Sequence, residues 1–435
     1  MRRRALLALA FARPARVATF SVEVTPPLGT ALCFSLVPPG ASVADPLRAR
    51  GVVLYPGDGK PVVLCALDWL GVGNTSQDLW KAALARAAGT DPSRVAVHTV
   101  HQHDAPGDDA SAGELLGADN VVCSRAFAER ARASVAAAVK SATPRLWTHV
   151  SAGQAKVERI ASNRRIVSPR GQFLFQRFTA CRNSPYCAEP EGVIDPMLQS
   201  IGLWSGDDRV ATLQYYATHP MSHYGKGAIS ADFVGLARDA QDGLCIYFTG
   251  AAGNIGAGKY NDGAPANRQE LASRLAEAMR RARAAETKQR VERVSWRPVM
   301  ARLPHRRGAE FEEAAIVAAM RDTNSELRTR ASAARYLAWR RLADRGREIP
   351  IGCLDLGVAS IVHFPGEAFV EYQLAAQQEA RGRLVAMAAY GDYGPMYIGT
   401  ARSYGEGGYE TSGVSRVGPE SEEILLEALR KGLRT

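Results

Sequence analysis

The stretch "RVAVHTVHQHDAPGDD", Arg94 to Asp109, decides how the chain is read. It begins as a strand, with β-branched and apolar residues alternating through Val100, and it ends abruptly in Asp104, Ala105, Pro106 and Gly107. His98, His101 and His103 fall within six residues, out of eight histidines in the chain. If extended geometry persists, His101 and His103 project to one side and His98 to the other. A polar strand end with one buried, satisfied histidine would give the same pattern, as would one edge of a metal site.

Similar strand-like runs recur: "GVVLY", "PVVLCALDWL", "VATLQYYATHP" and "GLCIYFTGAAG". They alternate with helix-like stretches such as "DLWKAALARAAG" and "AFAERARASVAAAVKSA". That alternation predicts an α/β fold of mixed β-sheets flanked by helices. Two more strands, "WTHVSAGQAKVERI" and "GCLDLGVASIVHFPG", are expected on either side of a helical segment at about 267–347, and "EEILLEALRKGL" closes the chain as a helix. No long Pro/Ser/Gly linker divides the sequence, so residues 17–435 are expected to form a single large catalytic-type domain.

With 46% hydrophobic and 23% charged residues over 435 positions, the composition is that of a folded globular protein rather than a disordered or fibrous one. No apolar run is long enough for a transmembrane segment. The net charge of +10 comes mostly from arginines in stretches such as "RLAEAMRRARAAETKQRVERV", which also carry Glu and Ala. These read as solvated helix faces. No basic block is interleaved with aromatics, so nucleic acid is not the expected partner. The seven cysteines contain no CxxC pair, which excludes zinc-ribbon spacing. Cys181 and Cys187 in "CRNSPYC" are candidates for a local disulfide, and the others read as small buried hydrophobes. The first 16 residues, with "MRRR" ahead of a short apolar run, resemble a signal peptide interrupted by Arg13 and Arg16, which leans the expected compartment toward export.

A second strand end carries His219, followed by Pro220, His223 and Asp232. A third ends in Phe364-Pro365-Gly366, with Glu367 expected in the first turn of a helix, where a carboxylate is favoured electrostatically whether or not it has a function. Two histidines and a carboxylate delivered by separate strand ends are a donor set typical of catalytic zinc, although manganese and iron accept the same donors.

The order of these motifs resembles the N-terminal catalytic domain of neutral ceramidases, zinc amidohydrolases that cleave an N-acyl bond. "VEVTPPLG" (Val22 to Gly29) is similar to that family's Asp-Ile-Thr-Pro-Pro-x-Gly opening. "HQHDAP" matches its His-Thr-His-Ser-Gly-Pro motif, "ASNRR" its Ile-Asn-Arg-Ser stretch, "ATHP" its Ala-Thr-His segment, "ISADFVG" its Ile-Ser-Gly-Asp turn and "FPGEAF" its Pro-Gly-Glu motif. Tyr397, Tyr404, Tyr409 and Glu410 repeat the spacing of its tyrosine-rich loop. The resemblance implies Zn2+ as the cofactor, with His101, His219, Glu367 and Tyr397 as its ligands. It implies further that His103, Arg164 and Tyr409 act on the substrate. The substrate would be a small-molecule or lipid N-acyl compound, compatible with peripheral membrane contact.

The likeness spans Thr19 to Glu410, and no counterpart of the family's C-terminal immunoglobulin-like domain is expected. Two departures stand out. Asp104 and Ala105 replace the family's Ser-Gly, and "NIGAGKYN" places Lys259 where the family has a serine. An altered pocket is therefore expected. The implied activities are hydrolysis of a ceramide-like or other N-acyl amine, hydrolysis of a more polar amide or ester, or zinc and ligand binding without turnover.

Overall fold

Strand order explains why the fold brings distant residues to one place. In a computed structural model, which describes residues 14–434 apart from 183 and 381, the main sheet has nine strands. Its order is Ser295–Ala301, Ile349–Asp355, Ala359–Pro365, Leu384–Gly391, Val95–Thr99, Val62–Leu67, Arg48–Tyr55, Arg16–Glu23 and Arg145–Leu146. Every residue of Val62–Leu67 and Val95–Thr99 is buried, as expected for parallel strands covered on both faces. The sheet's two halves join at Gly391 opposite His98, in antiparallel sense. Two strands arriving from opposite directions thus abut by their C-terminal ends at the centre of the sheet.

A second, five-stranded sheet runs Cys245–Thr249, Asp208–Tyr216, Met197–Ser205, His149–Lys156 and Thr287–Arg290. Its strand Cys245–Thr249 packs against Val62–Leu67, Val95–Thr99 and Leu384–Gly391 of the first sheet. Helices cover the outer faces. Asn74–Ala88 starts after Gly73 and stops at Gly89, whose φ of 68° is the left-handed conformation that ends helices. In Arg125–Ser141 the buried residues Phe127, Ala131, Val135 and Val139 lie four apart along one face. One apolar cluster runs through both sheets, from Val17 to Leu433. No described helix is long and apolar enough to cross a membrane. The architecture is the expected mixed α/β, with ten helices among the described residues.

Four local expectations change. The segment 267–347 is not helical throughout: Pro265–Ala284, Glu313–Arg321 and Leu327–Asp344 are helices, but Thr287–Arg290 and Ser295–Ala301 are edge strands. In "SWRPVMA" Trp296 and Ala301 are buried while Arg297 and Val299 are only partly so, a half-buried edge pattern that the surrounding arginines obscure. "GCLDLGVASIVHFPG" is an antiparallel pair of strands rather than one strand. The central strand stops at Thr99, before His101. Glu367 precedes its helix, which begins at Val370, and pairs instead in a short parallel bridge. Residues 1–13 of the signal-like segment lie outside the described residues, and Arg16 already belongs to the first strand.

Candidate metal centre

His101 reaches the site through a turn and not through strand alternation. Its backbone adopts φ +75°, a rare conformation for a side chain of this size, and its N–H bonds to the Trp69 carbonyl at 2.9 Å. The turn still brings His101 and His103 together, with ring centroids 4.7 Å apart and nearly perpendicular. His219 follows the strand Asp208–Tyr216 of the other sheet, and its ring centroid lies 5.0 Å from that of His101. Among the described residues, His101, His103 and His219 are a group able to hold a metal ion, with donor atoms all within 4.8 Å of one another.

Glu367 is set against them by its pairing with Tyr397 in the parallel bridge. Two glycines make this possible. Gly366 has φ +57°, and a Cβ there would lie 2.4 Å from the Met396 carbonyl; a Cβ on Gly253 would lie 2.2 Å from the Glu367 carbonyl. The Glu367 Oε2 atom is 3.1 Å from His219 Nε2 and 3.3 Å from His101 Nε2. Its Oε1 accepts a hydrogen bond from the Tyr393 hydroxyl at 2.5 Å.

The imidazole tautomers follow from their other partners. His101 Nδ1 is 2.7 Å from the Leu70 carbonyl, and His219 Nδ1 is 2.6 Å from the Ala252 carbonyl. A carbonyl only accepts, so each Nδ1 carries the proton and each Nε2 presents a lone pair. This is how metal-ligating histidines are ordinarily oriented. His101 Nε2 and His103 Nδ1 are buried without a hydrogen-bond partner. Orphaned donor atoms of this kind cost about 1–3 kcal/mol each, which a bound cation would recover. The residues present therefore fit a metal.

Electrostatics agree with that fit. Burial pushes His219 down to about 4, and burial together with the neighbouring His101 and His219 pushes His103 well below the usual histidine range. Burial acts against the Glu367 carboxylate, and what holds its pKa well below the usual range is positive charge in the His101 and His219 cluster, the charge a bound cation would supply once both Nε2 atoms are unprotonated.

Arg164 and the tyrosines form the wall beside this cluster. Arg164 Nη1 donates to the Tyr397 hydroxyl at 3.2 Å and lies 3.5 Å from His219 Nε2, while its Nε is 3.5 Å from the buried Glu410 carboxylate. Burial opposes the Arg164 charge, but the Tyr397 and Glu410 oxygens outweigh it and raise the pKa. The Tyr409 ring packs edge-on to Tyr397 at 5.7 Å. His103, Arg164, Glu367, Tyr397 and Tyr409 all line one cleft of about 230 Å³. The seven residues singled out in the sequence are thus brought together.

Their neighbours are not. His223 faces Asp104, and Asp232 accepts from Ser222 and the His223 and Phe233 N–H groups, which fixes the turn after His219. Tyr404 bonds the Val417 carbonyl. Lys259 turns outward and donates to the Ala188 and Glu189 carbonyls at 2.7 and 2.6 Å, clasping the loop that the Cys181–Cys187 disulfide closes. The other five cysteines are buried thiols. Sequence reasoning missed Tyr390, stacked on His101 at 4.3 Å, and Tyr393. Tyr390 lies at the end of the strand Leu384–Gly391 and Tyr393 two residues past it; the run of alanines gives little strand signal, although the aromatic stretch "YGDY" follows the strand-end rule that found the histidines.

An α/β chain with imidazoles and a carboxylate gathered at strand ends defines the class. No protein-family model matches the sequence, and neither does any curated protein sequence. The fold is that of neutral ceramidase. The crystal structure of neutral ceramidase from Pseudomonas aeruginosa superposes with a TM-score of 0.68 at 16% identity, over 97% of this chain and 74% of that one. A ceramidase structure complexed with C2 gives the same TM-score and identity, over 97% of this chain and 75% of that one. At that identity the likeness is one of fold.

Proposed function

We propose that the chain is a metal-dependent hydrolase that cleaves the amide bond of an N-acyl substrate, with His101, His219, Glu367 and Tyr397 holding zinc. The observation that carries this reading is the orientation of His101 and His219: both Nδ1 atoms are tied to carbonyls, and both Nε2 atoms converge on one Glu367 oxygen. A zinc ion bound there would supply Lewis acidity, polarising a carbonyl and acidifying a water.

The chain's own residues do the rest. His103 lines the cleft with its donor atom within 4.8 Å of those of His101 and His219, and in this reading it is the group that takes a proton from the attacking water. It then delivers that proton to the nitrogen as the C–N bond breaks, releasing a carboxylic acid and an amine. Arg164 and Tyr409 line the same cleft, and in this reading they are the donors to the carbonyl oxygen as charge develops on it. The outward turn of Lys259 leaves the cleft open to a substrate. The test is hydrolysis of a panel of N-acyl amides by zinc-loaded protein and by the same protein after chelation. Turnover that depends on zinc is expected; no turnover on any amide or ester would leave a ligand-binding protein.

A further inference from the structure

We propose that Arg335 binds a carboxylate on the substrate, so that the preferred substrate is an N-acyl amino acid; this rests on the hydrolase reading above. Arg335 comes from the helix Leu327–Asp344, is 3% exposed, and lines the same cleft as His103, Glu367 and Tyr397. Its guanidinium lies 3.5 Å over the Phe34 ring centroid and 5.5 Å from that of Tyr393, the residue that donates to Glu367. It is thus one aromatic ring away from the candidate metal ligands.

Its guanidinium donates no hydrogen bond to any described residue. Arg335 Nε has no hydrogen-bond partner among the described residues, and its approach to Asp109 is 3.9 Å. Asp109 is already engaged by Asn74 and by the Ser111 hydroxyl and Ala112 N–H of the helix it caps. Arg416, also buried, donates to the Arg335 and Gly394 carbonyls, so two guanidinium groups share a single nearby carboxylate. Glu367, the carboxylate that lines the cleft, faces His101 and His219 and accepts from Tyr393. A planar fork left without an acceptor on a cleft wall matches a carboxylate, which accepts two parallel N–H bonds.

The rest of the cleft fits an acyl chain. Leu36, Phe178, Tyr224 and Tyr409 line it and are each more than a third exposed, which gives an apolar rim outside a cationic interior. An N-acyl amino acid carries an apolar tail, an amide and a carboxylate in that order.

The experiment compares N-octanoylglycine with its neutral counterpart N-octanoylglycinamide on zinc-loaded full-length protein, for the wild type, Arg335→Met and Arg335→Lys. Binding of N-octanoylglycine to the metal-free proteins is measured separately by calorimetry. The acid should be preferred in kcat/KM, and Arg335→Met should reduce that preference by about 100-fold, the scale of hydrogen bonds to a charged group. Arg335→Lys should keep part of it, since a point charge lacks the fork. Equal turnover of both compounds by the wild type would overturn the carboxylate site while leaving the hydrolase reading in place. Arg335-dependent binding without hydrolysis of either would do the reverse. If Arg335→Met does not fold, the wild-type preference and the Arg335→Lys variant decide.

Discussion

Two groups of buried histidines, one built on His98 and the other on His101 three residues further along the same stretch, behave differently. His98 sits within the central strand; its Nδ1 donates to the Ala389 carbonyl at 2.8 Å and its Nε2 accepts from His363 Nδ1 at 3.0 Å. The only loose end is His363 Nε2, beside a cavity of about 30 Å³, enough for a water. His101 lies three residues further on, past the left-handed turn, and its Nε2 meets a carboxylate and two other imidazoles. Burial depresses basicity in both groups, so a neutral buried histidine is no signature of metal binding. The distinguishing feature is where the second nitrogen points. In the first group that of His98 is consumed by His363, and in the other several lone pairs face a common point.

The largest expected effect breaks that common point. Glu367→Gln keeps the shape but removes the charge, and zinc affinity should fall by more than the roughly 10- to 100-fold typical of losing an outer hydrogen-bond partner. Metal content after dialysis and hydrolysis of N-acyl amides would both report it. His103→Ala sharpens the same point: in the proposed arrangement it abolishes turnover while zinc stays bound, and loss of zinc instead would make His103 a ligand. Tyr409→Phe comes next. It should cost on the order of a hundredfold in turnover, with zinc content unchanged, because an oxyanion donor acts mainly in the transition state.

The histidine pair away from the cleft makes a prediction about pH. His98 is held at about 4 by burial, against an ordinary value near 6.5 that the unfolded chain regains. Between those values the unfolded state binds the extra proton, so this contribution to stability is complete above pH 6.5 and is lost as pH falls toward 4. For the metal-free protein the loss from pH 7 to pH 5 should be about 2 kcal/mol for this residue, read from urea unfolding. His98→Gln should remove that share of the dependence, leaving the part that the other buried histidines contribute, without changing zinc affinity. The smallest effect is expected at Lys259→Ala. An exposed ammonium bonded to two carbonyls should contribute less than about 1 kcal/mol, and turnover should be unaffected.

Much of this was legible in the sequence because strand ends carry both a pattern and a chemistry. Val62–Leu67, Val95–Thr99 and Cys245–Thr249 are short apolar runs bounded by turn residues; His101 comes just after Val95–Thr99, and His219 just after the strand Asp208–Tyr216. What was not legible depends on pairing. No local signal says that Glu367 lies in register with Tyr397, or that Gly391 meets His98 across the centre of the sheet. The turn at His101 was hidden for a similar reason, since side-chain alternation assumes an extended backbone that Thr99 ends. Tyr393 and Arg335 were missed because each is an ordinary residue in its own segment and gains its role only from what faces it.

The central claim is that one metal ion binds where the His101 and His219 Nε2 atoms converge on Glu367. A crystal structure of the zinc-loaded protein with data collected at the zinc absorption edge tests it most directly. The account predicts a single anomalous peak roughly 2.0–2.2 Å from His101 Nε2, His219 Nε2 and a Glu367 oxygen, with Tyr397 at its side. A fully loaded protein with its zinc elsewhere, and with His101 Nε2 still facing only Glu367, would contradict it.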